Sequence, residues 1–174
     1  DDLLYQTMRI PVEAVLGKDG VGLADCAIAE SKFEKGEDIS GRILLLVSQL
    51  GEVQKKGTPD IEFAIVGLLA RSQIALGRAE DALRTVQMIR ERFEENGHTR
   101  FFHNIDAVLC HIWLHMDDLE RVQVWYREKA PKDPLHLNVL KRYQYLTQAM
   151  AELALGMPDA VLLTLAPLES YCKD

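Results

Sequence analysis

Residues 70–86 read ARSQIALGRAEDALRTV. A small residue, Ala70, stands seven positions before Gly77, and another, Ala82, stands five positions after it, with apolar residues between them at helical spacing. The same frame recurs along the chain. AIAESKFEKGEDISGRILLLV places Gly36 at the anchor, VLCHIWLHMDDLERVQVWY places Asp117 there, and AMAELALGMPDAVLLTL places Gly156 there. The four anchors are evenly spaced, and a fixed period of roughly 40 residues marks a stacked array of structural repeats.

Positions away from the anchor test the register. Seven residues before it lie Ala29, Ala70, Cys110 and Ala149, all small. Five residues after it lie Gly41, Ala82 and Val122, with Ala160 one position short in the last copy. Small residues at two fixed places suit a helical hairpin whose helices approach to about 8–10 Å. Ala70 and Ala149 are therefore expected to face the second helices of their own hairpins with almost no accessible surface. Gly or Asp at the anchor suits a helix C-terminal cap or a tight turn.

This frame predicts first helices over 21–35, 60–76, 100–115 and 136–155, and second helices over 39–55, 79–95, 118–129 and 158–171. Thr58 before Pro59 reads as an N-cap with proline at the first helical position, and Pro158 repeats that proline signal. Lys56-Gly57, Asn96-Gly97 and the run from Ala130 to Pro134 read as linkers. Val, Ile and Thr fall within a 3.6-residue period, as in ILLLVSQLGEV, so the predicted class is all-α. The architecture expected is about four antiparallel helical hairpins in a right-handed, tetratricopeptide-like superhelix. Residues 1–19, interrupted by Pro11 and Gly17 with Gly20 and Gly22 just beyond, read as a connecting segment or truncated repeat. Residues 20–174 read as the repeat domain.

Composition narrows the function. The chain has 174 residues, of which 20 are Lys or Arg and 27 are Asp or Glu, for a net charge of −7. Nucleic-acid affinity comes largely from cations that displace counterions, so direct binding to DNA, RNA or an anionic membrane is disfavoured. Cys26, Cys110 and Cys172 are few and widely spaced, which suits buried thiols in a reducing cytoplasm better than a disulfide framework. No signal peptide opens the sequence, and no apolar run reaches the roughly 18 residues of a membrane helix.

The glycines of GKDGVGLAD (17–25) fail the phosphate-loop spacing, because Val12 and Asp19 stand where GxxxxGK[ST] needs Gly and Ser or Thr. The stretch reads instead as a flexible connection before a helix. His111 and His115 are four apart on one helix face, with His103 two turns earlier. HxxxH holds a metal when a third ligand converges. Glu30 and Glu34, the corresponding pair in the first copy, lie two helices away, at roughly 10 Å per helix. A metal is therefore the least favoured reading, and no metal or cofactor is assigned. Cys110 reads as packing. Trp125, Tyr126, Tyr143 and Tyr145 read as core filling between the third and fourth hairpins, ahead of an aromatic platform for a sugar or peptide. No catalytic residue is nominated, because no nucleophile and base can be paired without assuming a contact.

The exposed side of first helices lines the inner curve of such arrays. In this frame the lining includes Glu30, Glu34, Arg71, His111, His115 and Met150. Arg71 offers a planar fork to a carboxylate, phosphate or hydroxyl-rich ligand, and the imidazoles add donors or acceptors near neutral pH. The competing reading is a set of ordinary solvated polar residues.

ALGRAEDALRTVQMI and WYREKAPKDPLHLNVLKRYQYLTQAMAELALGMPDAVLLTLAPL carry a resemblance. Trp125 closes one hairpin, a charged linker follows, and Tyr143-x-Tyr145-x-Thr147-x-Ala149 leads into a small-residue hairpin with Ala160 and Leu168. Over residues 20–172 the chain resembles the helical-repeat sensor segment of large bacterial LuxR-type, ATP-dependent transcriptional regulators, the class of the maltose-regulon activator. The resemblance implies an N-terminal ATPase, a sensor segment and a C-terminal helix-turn-helix in the full-length chain. It implies a small-molecule inducer or protein partner on the concave face, DNA contact only through a separate domain, and a non-catalytic role. The alternative is a stand-alone tetratricopeptide-like adaptor that binds a protein or peptide.

Overall fold

In a computed structural model, the described residues are 18–37, 39–56, 58–131 and 141–173, together with positions 3, 7, 10, 11, 14 and 15. From residue 18 onward they form eight α-helices, and no described residue lies in a strand. In chain order the helices are α1 (Lys18–Glu34), α2 (Ile39–Lys56), α3 (Pro59–Ala75), α4 (Ala79–Glu95), α5 (Phe102–His115), α6 (Leu119–Glu128), α7 (Arg142–Ala154) and α8 (Pro158–Lys173), with a 3₁₀ turn over Thr99–Phe101 before α5. The chain divides into two compact units, Asp1–Ile89 and Arg90–Asp174, and the division falls within α4.

The turn residues found in the sequence carry the fold. Gly36, Gly77 and Gly156 have φ of 70°, 72° and 74°, and Asp117, the non-glycine member of the set, has 57°. Each ends a first helix in the same way. At Gly77 the amide of the turn residue donates to Ile74 O at 2.8 Å, and the next amide, Arg78 N, donates to Gln73 O at 2.8 Å. The same pair of bonds closes α1 at Gly36, α5 at Asp117 and α7 at Gly156. These two bonds satisfy carbonyls that the helix end leaves without donors. Gly97, with φ of 73°, closes α4 in the same manner.

The helix starts are set locally. Pro59 is the first residue of α3, followed by Asp60 and Glu62 in the first turn, where acidic side chains oppose the positive helix end. Thr58 holds the N-cap position, but its side chain makes no capping bond. Asp118 does cap α6, its Oδ1 accepting from Arg121 N at 3.2 Å. Asp117 and Asp118 thus divide two tasks between neighbours, a left-handed turn and a cap.

In the first unit, one core is built from Cys26, Ala29 and Phe33 of α1, Ile43, Leu46, Leu50 and Val53 of α2, and Ile61, Ile65, Leu68 and Leu69 of α3. The second unit repeats this plan. Its core joins Ala107, Cys110, Trp113 and Leu114 of α5, Val122, Trp125 and Tyr126 of α6, and Tyr143, Ala151 and Leu155 of α7, with α8 packed on α7. Both cores combine a first helix, its own second helix and the next first helix. The four small positions are buried: Ala29 is 1% exposed, Ala70 0%, Cys110 0% and Ala149 6%. Trp125 and Tyr145 are also buried, so the aromatic cluster fills space between helices.

Two sequence expectations change here. The stretch 17–25 is not a connection, because α1 begins at Lys18 and takes Gly20 and Gly22 into its first turns. Glycine lowers helix propensity by about 1 kcal/mol, and α1 tolerates this because its later residues are anchored in the core. The fourth first helix, expected over 136–155, begins at Arg142, and residues 136–140 lie outside the described residues. Cys172 has a described backbone only.

Candidate functional site

The sequence-selected residues fall into two groups, one in each unit. In the first unit, Arg71 on α3 meets the two carboxylates of α1. Its Nη1 lies 3.4 Å from Glu30 Oε1, and its Nη2 lies 2.6 Å from Glu34 Oε1. Beneath it lies the ring of Phe33, 4.5 Å from the guanidinium carbon. A second guanidinium, that of Arg42, lies 5.0 Å from the same ring. Arg42 is buried and donates to Ser72 Oγ at 3.3 Å and to Glu37 O at 3.0 Å. The expectation that Arg71 offers its fork to a ligand is thereby altered, since both terminal nitrogens already hold carboxylates of the neighbouring helix. The Glu30 and Glu34 side chains are largely exposed, so these pairs are screened by water and salt.

In the second unit, His111 and His115 lie on α5 with nearly parallel rings, 5.1 Å between centroids and 7° between planes. Their Nε2 atoms are 3.2 Å apart. Tyr143 of α7 places its hydroxyl 3.2 Å from His111 Nδ1. Close by, Gln144 donates to Asn104 Oδ1 at 2.7 Å, a second polar link between α5 and α7. Met150 is exposed on α7. The exposed sides of paired first helices are therefore cross-linked by polar side chains in both units.

One buried ion-paired carboxylate falls outside the residues that the sequence singles out. Asp106 sits inside the apolar stretch of α5, with its side chain 10% exposed. Arg90 Nη1 lies 2.6 Å from one carboxylate oxygen and Lys129 Nζ 2.8 Å from the other. Arg90 is further placed by the ring of Phe102, 4.8 Å from its guanidinium carbon. A buried carboxylate needs such partners, because an unpaired buried charge costs several kcal/mol. Asp106 and Lys129 form a wall common to two open grooves, one of about 500 Å³ that also touches Trp113, Arg121 and Trp125, and one of about 720 Å³ that also touches Arg90, His103 and Gln144. One signal was present in the sequence. Asp106 stands eleven residues before its turn residue, the position held in the first copy by Asp25, which is also buried and accepts from Gln49 Nε2 at 2.9 Å.

Other ionisable groups in the interior are committed to packing. Burial pushes the Cys110 thiol up to about 12, far from the thiolate a nucleophile requires. Cys26 is pushed up to about 12 by burial first and then by the nearby charges of Asp25 and Glu30. Glu152 is buried on α7, where its Oε1 accepts from Gln148 at 2.8 Å and from Thr164 at 3.0 Å. Partial burial, together with the charge of Glu152, raises the Tyr126 phenol above its ordinary value.

Among the described residues, no group of three or more His, Cys, Asp and Glu side chains gathers as metal ligands. No helix among them is long and apolar enough to cross a membrane. Comparison with family models, with curated proteins and with solved structures returns no match.

Proposed function

We propose that this chain is the helical-repeat segment of a bacterial LuxR-type transcriptional regulator, a non-catalytic cytoplasmic module that senses a small-molecule inducer or contacts a protein partner. DNA is then reached only through a separate domain of the full-length chain. The observation that carries this reading is the recurrence of one plan, a three-helix core with left-handed turn residues at the evenly spaced positions 36, 77, 117 and 156. Repeats of this kind act as binding surfaces. The first unit carries Arg71 with Glu30 and Glu34 on its first helices, and the second unit carries His111, His115 and Tyr143 on its own. The acidic net charge further favours small-molecule or protein ligands over a phosphate backbone.

The complete open reading frame tests the regulator reading. A phosphate-loop ATPase upstream and a basic helix-turn-helix downstream are expected. A frame that encodes neither overturns it and leaves the stand-alone adaptor. Binding itself is read by calorimetry on the isolated segment with the inducer identified in cells. Arg71→Ala and His111→Ala are expected to weaken that binding while leaving the melting temperature nearly unchanged.

A further inference from the structure

The pair on α5 is better placed than its spacing alone conveyed. A metal ion bound by two imidazoles at about 2.0–2.1 Å separates the two nitrogens by about 3.3–3.4 Å at a tetrahedral angle, and by about 2.9 Å at a right angle. The His111 and His115 Nε2 atoms stand 3.2 Å apart, between these limits, on nearly parallel rings. Both rings already hold rotamers that bring the two nitrogens together. An ion therefore needs little side-chain movement, and the ordering of two side chains is not charged against binding.

The contact on the other side of His111 completes the argument. A ligating histidine characteristically uses its second ring nitrogen in an outer hydrogen bond, which fixes the tautomer and the ring plane. Tyr143 Oη lies 3.2 Å from His111 Nδ1. With the proton on Nδ1 and donated to the tyrosine oxygen, the Nε2 lone pair of His111 points away from Tyr143. His115 reaches the same state by carrying its proton on Nδ1. In the absence of an ion, one Nε2–H donates to the other Nε2, and the pair is an ordinary hydrogen bond. His115 is exposed, so an ion has access from solvent.

We propose that His111 and His115 form a two-imidazole site for one borderline divalent transition ion, such as Zn²⁺ or Cu²⁺, with Tyr143 as a positioning residue. Nitrogen donors select such ions over Ca²⁺ and Mg²⁺, which prefer oxygen. Two protein ligands leave the remaining positions to water or to an oxygen or nitrogen donor of a bound molecule. The inference does not depend on the regulator reading, since it rests on the geometry of α5 and α7 alone.

The test uses the whole chain, stripped with a chelator and titrated with ZnCl₂ by calorimetry and with CuSO₄ by electron paramagnetic resonance. One tight equivalent per chain is expected, with nitrogen coupling in the Cu²⁺ spectrum. His115→Ala, an exposed change that leaves helicity by circular dichroism intact, is expected to weaken this equivalent at least tenfold, and His111→Ala likewise. Tyr143→Phe is expected to weaken it about tenfold while both imidazoles remain. His103→Ala is expected to leave it unchanged. Equal affinity and stoichiometry in the wild type and the His111→Ala/His115→Ala double variant would overturn the proposal, as would binding that disappears only with His103.

Discussion

Alanine at Gly77 tests the turn on which the repeat rests. Gly77 has φ of 72°, and a Cβ built there meets no atom within 4 Å. Steric crowding therefore contributes nothing, and the cost is that of the backbone conformation. An L-residue in the left-handed region costs roughly 1–2 kcal/mol. Alanine returns about 0.4–1 kcal/mol by stiffening the unfolded chain. Gly77→Ala should thus destabilise by about 1 kcal/mol, and Gly156→Ala by a similar amount. Gly51 supplies an internal control of opposite sign. It lies within α2 in ordinary helical geometry, and its Cβ also meets no atom within 4 Å, so Gly51→Ala should stabilise by about 0.5–1 kcal/mol. Asp117→Gly should also stabilise, by less than about 1 kcal/mol, since aspartate tolerates the left-handed region better than most residues. Urea unfolding followed by circular dichroism reads all four as shifts in midpoint at constant slope. If Gly77→Ala and Gly51→Ala move the midpoint in the same direction, the turn is not locked left-handed and the repeat argument fails.

Two further outcomes follow from the interior. The native protein should be inert to a thiol reagent at Cys26 and Cys110 near pH 8; above about pH 9 the unfolded thiols ionise while the folded ones keep their protons, so stability falls as pH rises toward about 12, less steeply in Cys110→Ala, and rapid native labelling would refute this. Asp106→Ala leaves Arg90 and Lys129 without their buried carboxylate and should cost about 1–3 kcal/mol, whereas Arg71→Ala removes two pairs to exposed carboxylates and the contact with the Phe33 ring and should cost less than about 1 kcal/mol; the reverse order in thermal melts would show that the cluster around the buried Asp106 is not the stronger electrostatic element.

What the sequence made legible was whatever a single backbone position had to satisfy. Four anchors at even spacing mark the left-handed turns, because only glycine, and less readily aspartate or asparagine, accepts that conformation. Four small residues seven positions earlier mark burial, because a larger side chain would hold the helices apart. The start of α1 was not legible in the same way. Two glycines in GKDGVGLAD look like a break when propensity is read locally, yet the helix continues through them.

Side-chain partnerships were the part hidden from the sequence, and the reason is their span. Arg90 and Lys129 reach Asp106 from 16 and 23 residues away, and Tyr143 reaches His111 across 32. The repeat period predicts which helices are neighbours, and Glu30 and Glu34 on α1 pair with Arg71 on α3. It does not predict which polar groups use that adjacency. The sequence offers Arg71 as a fork open to a ligand, but the proximity that puts it near Glu30 and Glu34 also gives it two intramolecular partners. The histidine pair runs the other way. Its spacing alone lacked a third ligand and argued against a metal, while the tyrosine hydroxyl from the next first helix supplies the orientation that spacing cannot express. The repeat thus fixes the helices as a scaffold, and the pairings between neighbouring first helices distinguish one copy from the next.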